Sequence, residues 1–261
     1  MPIIEIEGLK ISYQETGAGL PIIFLPGLIG SKEWFKYQFS GLGGDYRVIS
    51  YDPREAGRKP EYTIDLLVED IAKLLTILRL HSVVIAGHSF GGLVAQQFTL
   101  AYPQSVAALI LVSTFPRLLK TPQAKIAEIW APLNMPTESP VRRIFSMFFG
   151  RKTADDELEG TDWLVAHAPK LSRTTINARM KLAADFDVSA QLEHIGIPAL
   201  VVVGANEDPL LLDAAQTFYR TLPDATLEVI ENGDHFSFFT RHDLFNSAVD
   251  DFLTSRMMVL G

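Results

Sequence analysis

The sequence predicts an α/β protein: a mostly parallel sheet with helices on both faces and a helical insertion in its middle. Three observations predict it. Short, solidly apolar runs, such as Pro21–Leu25, Val106–Val112 and Ala199–Val203, have the composition of strands buried on both faces. Segments of helical period alternate with them. Ile64, Leu67, Val68, Ile71, Leu74, Leu75 and Leu78 form one apolar stripe. Finally, Gly87-His88-Ser89-Phe90-Gly91-Gly92 stands between an apolar run and a helix-compatible one, as strand, sharp turn and helix. Alternating β and α units of this kind build a parallel sheet.

In chain order, Ile3–Glu7 and Lys10–Thr16 alternate around Gly8 and read as an antiparallel hairpin at a sheet edge. Gly17-Ala18-Gly19 is a turn, and Pro21–Leu25 is the first fully buried strand. The loop Pro26-Gly27-Leu28-Ile29-Gly30-Ser31 leaves its C-terminal end, where open α/β sheets build their sites. Lys32–Leu42 reads as a helix anchored by Trp34, Phe35 and Phe39, and Tyr46–Tyr51 as a strand. Thr63 is an N-cap for the striped helix. Ser82–Ala86 is the strand before the Gly-x-Ser-x-Gly turn, and Tyr102-Pro103 ends the helix after it.

After Phe115 the alternation stops, and it resumes at Ile197–Gly204. The intervening segment carries helix-like pieces, among them Ile144–Phe149 and Arg173–Asp185, and no convincing strand. The expectation is a core from 1–115 and 188–261 with a helical cap over 116–187. Thr226–Ile230 is the last strand, followed by Glu231-Asn232-Gly233-Asp234-His235-Phe236 and a helix from His242 to Leu253.

On these motifs the chain resembles the α/β-hydrolase fold superfamily over nearly its whole length, with Gly87-His88-Ser89-Phe90-Gly91-Gly92 as the most specific piece. The resemblance implies an eight-stranded, mostly parallel sheet with an inserted cap, and a serine nucleophile at Ser89 on a strained turn. It implies His235 as the base, since it lies between the last strand and last helix, and the backbone N–H groups of Leu28 and Phe90 as an oxyanion hole. The loop departs from the family's frequent His-Gly start by having Pro26. The acid is expected after the strand ending at Gly204. Asp208 fits an Asp-Pro match and is preferred, while Glu207 fits the count from Gly204 and is the alternative. Asp52, Arg54 and Gly57 match a family turn in which Glu55 and Lys59 depart, and Asp52 with Arg54 reads as structural. Trp130, Met147, Phe148 and Trp163 are candidates for lining a pocket under the cap.

The implied activity is that of a serine hydrolase, a carboxylic ester hydrolase acting on a small ester or lactone through an acyl-serine, with no cofactor and no metal. Acyl transfer, perhydrolysis or carbon–carbon bond hydrolysis would use the same residues. A ligand sensor on the same fold is the reading from another class. Serine at the turn argues against dehalogenases and epoxide hydrolases, whose nucleophile there is aspartate.

Composition narrows the field further. With no cysteine, thiolate catalysis and cysteine-held zinc are excluded. The net charge of −8, without a Lys/Arg cluster, argues against nucleic acid as a partner. No apolar run reaches the roughly 18 residues of a membrane span, and no signal peptide is visible. A cytoplasmic protein with a small-molecule substrate is expected.

Overall fold

The computed structural model describes residues 2–57, 61–118 and 158–260, with the side chains of 162–256 in the last stretch. Among these residues the strands are β1 (Ile3–Ile6), β2 (Leu9–Thr16), β3 (Pro21–Leu25), β4 (Arg47–Tyr51), β5 (Val83–His88), β6 (Val106–Val112), β7 (Ala199–Gly204) and β8 (Ala225–Ile230). The helices are α1 (Lys36–Leu42), α2 (Ile64–Leu78), α3 (Phe90–Ala101), α4 (Leu158–Ala166), α5 (Arg173–Asp185), α6 (Pro209–Thr221), α7 (Ser237–Thr240) and α8 (His242–Leu260).

The strands form one eight-stranded sheet in the order β1-β2-β4-β3-β5-β6-β7-β8. The β1–β2 and β2–β4 pairs are antiparallel and all others parallel. The solid apolar runs follow from burial on both faces. Ile23, Leu25, Ile85, Leu109, Leu111, Val201 and Val203 face a core shared with α2, α3 and α6. Their neighbours Ile22, Phe24, Val84, Ala86, Ile110, Leu200 and Val202 face a second core shared with α1, α7 and α8. Successive side chains of a strand point to opposite faces, so a strand covered on both sides has no polar alternation.

Local signals act as their chemistry requires. Thr63 Oγ1 accepts from Leu66 N at 3.1 Å and caps α2. The stretch Lys32–Leu42 is a 3₁₀ turn over Lys32–Phe35 followed by α1, rather than one continuous helix.

The register decides where a site can form. Leu25 pairs with Gly87, so the loops leaving β3 and β5 emerge side by side. Gly204 pairs with Ile230, which brings the loops after β7 and β8 together at the same end. On one side of β5 the next strand is β3, and on the other it is β6. Sheets of this type open a crevice where successive crossovers diverge in this way. Arg117 and Asp187 form an isolated antiparallel bridge, so the chain leaves and re-enters the sheet region at adjacent points.

Candidate active site

Ser89 sits between β5 and α3 with φ 52° and ψ −117°. For a non-glycine residue this costs of order 1–3 kcal/mol and persists only where its surroundings over-determine it. They do so here. Ser89 N donates to Val112 O at 2.9 Å, and Ser89 O accepts from Gly92 N at 2.9 Å and Thr114 Oγ1 at 2.8 Å. A Cβ on Gly91 would lie 2.3 Å from Leu25 O, so only glycine lets the turn pass this close to β3. The Ser89 side chain caps no helix N–H and stays half-buried at the strand end.

The loop after β3 lies against this turn. A Cβ on Gly27 would be 3.4 Å from Ser89 Cβ and 2.9 Å from His88 Nδ1. The Gly27–Leu28 peptide is therefore beside Ser89, and Phe90 follows Ser89 directly. Asp52 anchors the far end of the loop, accepting from Lys32 N at 3.0 Å and Lys32 Nζ at 2.7 Å. Arg54 pairs instead with buried Asp70 at 2.5 Å, so Asp52 and Arg54 brace different parts of the fold.

His235 occupies the loop between β8 and α7 and is 2 % exposed. Its Nδ1 lies 2.9 Å from Glu207 Oε2. With Nδ1–H donated to the carboxylate, the neutral form of the ring keeps its basic lone pair on Nε2. Glu207 is buried too. Burial alone would raise its pKa, but the charge of His235 and the hydrogen bonds from His235 and the Asp208 N–H outweigh it, and the pKa falls below 4.5. The buried Ser113 hydroxyl adds to this, although it makes no hydrogen bond of ordinary geometry.

The preference for Asp208 as the partner of His235 is corrected by this geometry. Asp208 is the N-cap of α6, where Oδ1 accepts from Leu210 N at 2.8 Å ahead of Pro209. An Asp-Pro pair is a helix start signal, a capping acid followed by a residue that needs no N–H. The loop itself turns Glu207 inward, with Asn206 N donating to Gly233 O at 2.8 Å and Glu207 N to Gly204 O at 3.2 Å.

His88 joins the two halves of the site. Its ring packs 4.8 Å from that of His235, and Nε2 lies 2.9 Å from His235 O. That contact places His235 against the residue preceding Ser89. Burial, and then the charge of His235, push the His88 pKa well below 6.5, while the bond to His235 O opposes them. His88 is therefore neutral, and it donates through Nε2–H.

A protein-family model described as the alpha/beta hydrolase family matches residues 22–248. The chain belongs to the alpha/beta hydrolase family. It is 25% identical over 258 residues to a provisionally named non-heme bromoperoxidase, BpoC, of Mycobacterium tuberculosis, covering 95% of this chain and 98% of that protein. It is 27% identical over 271 residues to a provisionally named carbamate hydrolase, RutD, of Caulobacter sp., covering 96% and 94%. Among solved structures, the enol-lactonase of Burkholderia xenovorans LB400 superposes with a TM-score of 0.84 at 20% identity, covering 97% of this chain and all of that one (100%). That last likeness is one of fold.

Of the pocket candidates, Trp130, Met147 and Phe148 lie outside the described residues, as does Ile144–Phe149. Trp163, on α4, stacks on His167 at 3.8 Å and Phe239 at 5.3 Å, with Lys36 Nζ 4.1 Å over its ring. This helix is tied down by Trp34 Nε1 donating to Leu164 O at 3.0 Å, and the following residues by Ser31 Oγ donating to His167 O at 2.8 Å. An open groove of about 570 Å³ between β8 and α8, lined by Glu228, Leu244, Asp251 and Phe252, touches none of the candidate catalytic residues. Among the described residues, no helix is long and apolar enough to cross a membrane.

Proposed function

We propose that this hydrolase-family protein is a serine hydrolase that cleaves a small carboxylic ester or lactone. The observation that carries the reading is the buried His235–Glu207 pair packed through His88 against the strained Ser89 turn. A serine hydroxyl is a weak nucleophile until a base takes its proton. In this reading His235 Nε2 takes the Ser89 proton as Oγ attacks the ester carbonyl, and Glu207 stabilises the imidazolium without itself accepting the proton. The oxyanion meets the N–H groups of Leu28 and Phe90. His235 then protonates the leaving alkoxide, giving acyl-Ser89 and the alcohol. A water molecule, deprotonated by His235, releases the acid by the same steps in reverse. The described parts of 116–187, with α4 and α5, would belong to a cap over this centre, while residues 119–157 lie outside the described residues. Support comes from the Arg117–Asp187 bridge and from the ties of 158–168 to the β3 loop.

Labelling with a fluorophosphonate, followed by peptide mapping and a panel of short aryl esters and lactones, tests the reading. One adduct on Ser89 together with turnover in the panel is expected. An unlabelled, folded protein would overturn it. The relatedness to a provisionally named bromoperoxidase favours one second reading, in which hydrogen peroxide replaces water as the acyl acceptor and the product is a peracid. Peracid formation from acyl donor and peroxide, measured against ester hydrolysis, separates the two.

A further inference from the structure

Arg179, in the middle of α5, is 1 % exposed. A buried guanidinium is costly unless its donors are satisfied and its position serves a purpose. Nη1 donates to Leu28 O at 2.8 Å and Nε to Tyr62 Oη at 3.0 Å. Nη2 reaches Pro53 O at 3.3 Å and Arg54 O at 3.4 Å. The same group lies 5.9 Å from the centre of the Phe90 ring. Tyr62 Oη passes its own proton to Arg54 O at 3.1 Å, closing the network. Among the described residues, the hydrogen-bond partners are thus three carbonyls and a phenol, with no carboxylate among them. One cation from α5 therefore binds the β3 loop and the β4 loop, and covers the first residue of α3.

Two of the residues it touches, Leu28 and Phe90, are those whose N–H groups are assigned above to the oxyanion. We propose that Arg179 is a positioning residue for the oxyanion hole, an inference that rests on the hydrolase reading of Ser89. By holding Leu28 O it anchors the Leu28–Ile29 peptide and so restrains the adjoining Gly27–Leu28 peptide, which carries the Leu28 N–H. Its positive charge stands on Leu28 O and over the Phe90 ring, and among the described residues it forms no ion pair, so it favours the oxyanion over the neutral ground-state carbonyl. Both effects act on the transition state more than on substrate binding. The arrangement also makes the catalytic geometry depend on α5, which belongs to the inserted segment and not to the sheet.

The test is Arg179→Met and Arg179→Lys beside Tyr62→Phe, each normalised to active sites titrated with a fluorophosphonate. For Arg179→Met, kcat per titrated site should fall about 10- to 100-fold with KM within about threefold, somewhat less than the loss of a whole oxyanion donor. The Ki of a trifluoromethyl ketone, which forms the tetrahedral oxyanion reversibly, should rise in step with the fall in kcat/KM. Arg179→Lys should recover part of the loss by keeping the charge, and Tyr62→Phe should lose about two- to fivefold, since one anchor of four goes. A purely structural role would lower the titre and the melting temperature but leave kcat per site and Ki unchanged, and that result overturns the inference. If neither Arg179 variant folds, Tyr62→Phe decides by the same two readouts. A wild-type protein that neither titrates nor turns over substrate would instead overturn the hydrolase reading, which separates the two failures.

Discussion

The two halves of the site are held by different physics. The Ser89 half is a backbone device. Its positive φ is enforced by three hydrogen bonds to its own main chain and by a glycine that allows strand and helix to touch. The Glu207–His235 half is a side-chain device, a buried carboxylate kept ionised by an imidazole and the Asp208 N–H against the cost of burial. The first half should be sensitive to volume and indifferent to charge. The second should be sensitive to charge and pH. His88 and Arg179 are the links between halves and layers.

This contrast can be broken in stages. The largest expected effect is on chemistry: Ser89→Ala or His235→Ala should each lower kcat by about 10⁶-fold, and both together by little more, because the residues act as a unit. Steady-state kinetics on the best ester checks this. Next, Glu207→Gln should cost about 10³- to 10⁴-fold by leaving His235 in the wrong tautomer. Asp208→Ala should stay within about threefold in kcat while losing about 1 kcal/mol of unfolding free energy as a helix cap. Equal kinetic effects from the two would contradict the pairing seen at His235.

Smaller effects should appear in stability. Gly91→Ala places a methyl against a backbone oxygen and should destabilise by about 1–3 kcal/mol in urea unfolding. Charge-conserving though it is, it should also slow labelling of Ser89. The pH dependence tests the other half. His88 has a folded pKa well below 6.5, so below that pH the unfolded chain binds a proton that the folded chain refuses. Stability should be full above about pH 6.5 and fall beneath it by up to about 1.4 kcal/mol per pH unit for this one proton. Glu207 works in the same direction at more acid pH, since its stabilisation is lost as pH falls through its lowered pKa. His88→Gln should flatten the slope between about pH 5.5 and 6.5, and an unchanged slope there would contradict the burial account.

Much of this was legible in the sequence for a definite reason. Strands buried on both faces give solid apolar runs, and these located β3, β5, β6 and β7 to within a residue or two. The glycine spacing around Ser89 identified the turn because a close backbone approach leaves few residue choices. Which acid faces His235 was less legible. Glu207 and Asp208 are neighbours in one short loop, and which of them faces His235 depends on hydrogen bonds from Asn206 N to Gly233 O and from Glu207 N to Gly204 O that no local pattern encodes. Counting from Gly204 was the better signal, and the Asp-Pro pair belonged to helix initiation. His88 and Arg179 were illegible as contributors for a related reason. Each acts through a backbone carbonyl distant in sequence, Arg179 reaching back 151 positions to Leu28. A carbonyl carries no sequence signature.

The most direct test of the central claim, a Ser89 activated by the His235–Glu207 pair, is the second-order rate of fluorophosphonate labelling at Ser89. It should be measured by intact mass and peptide mapping on wild type, Glu207→Gln and Asp208→Ala. The account predicts rapid single labelling in wild type and Asp208→Ala, and a loss of two or more orders of magnitude in Glu207→Gln. Labelling that survives Glu207→Gln and collapses in Asp208→Ala would contradict it.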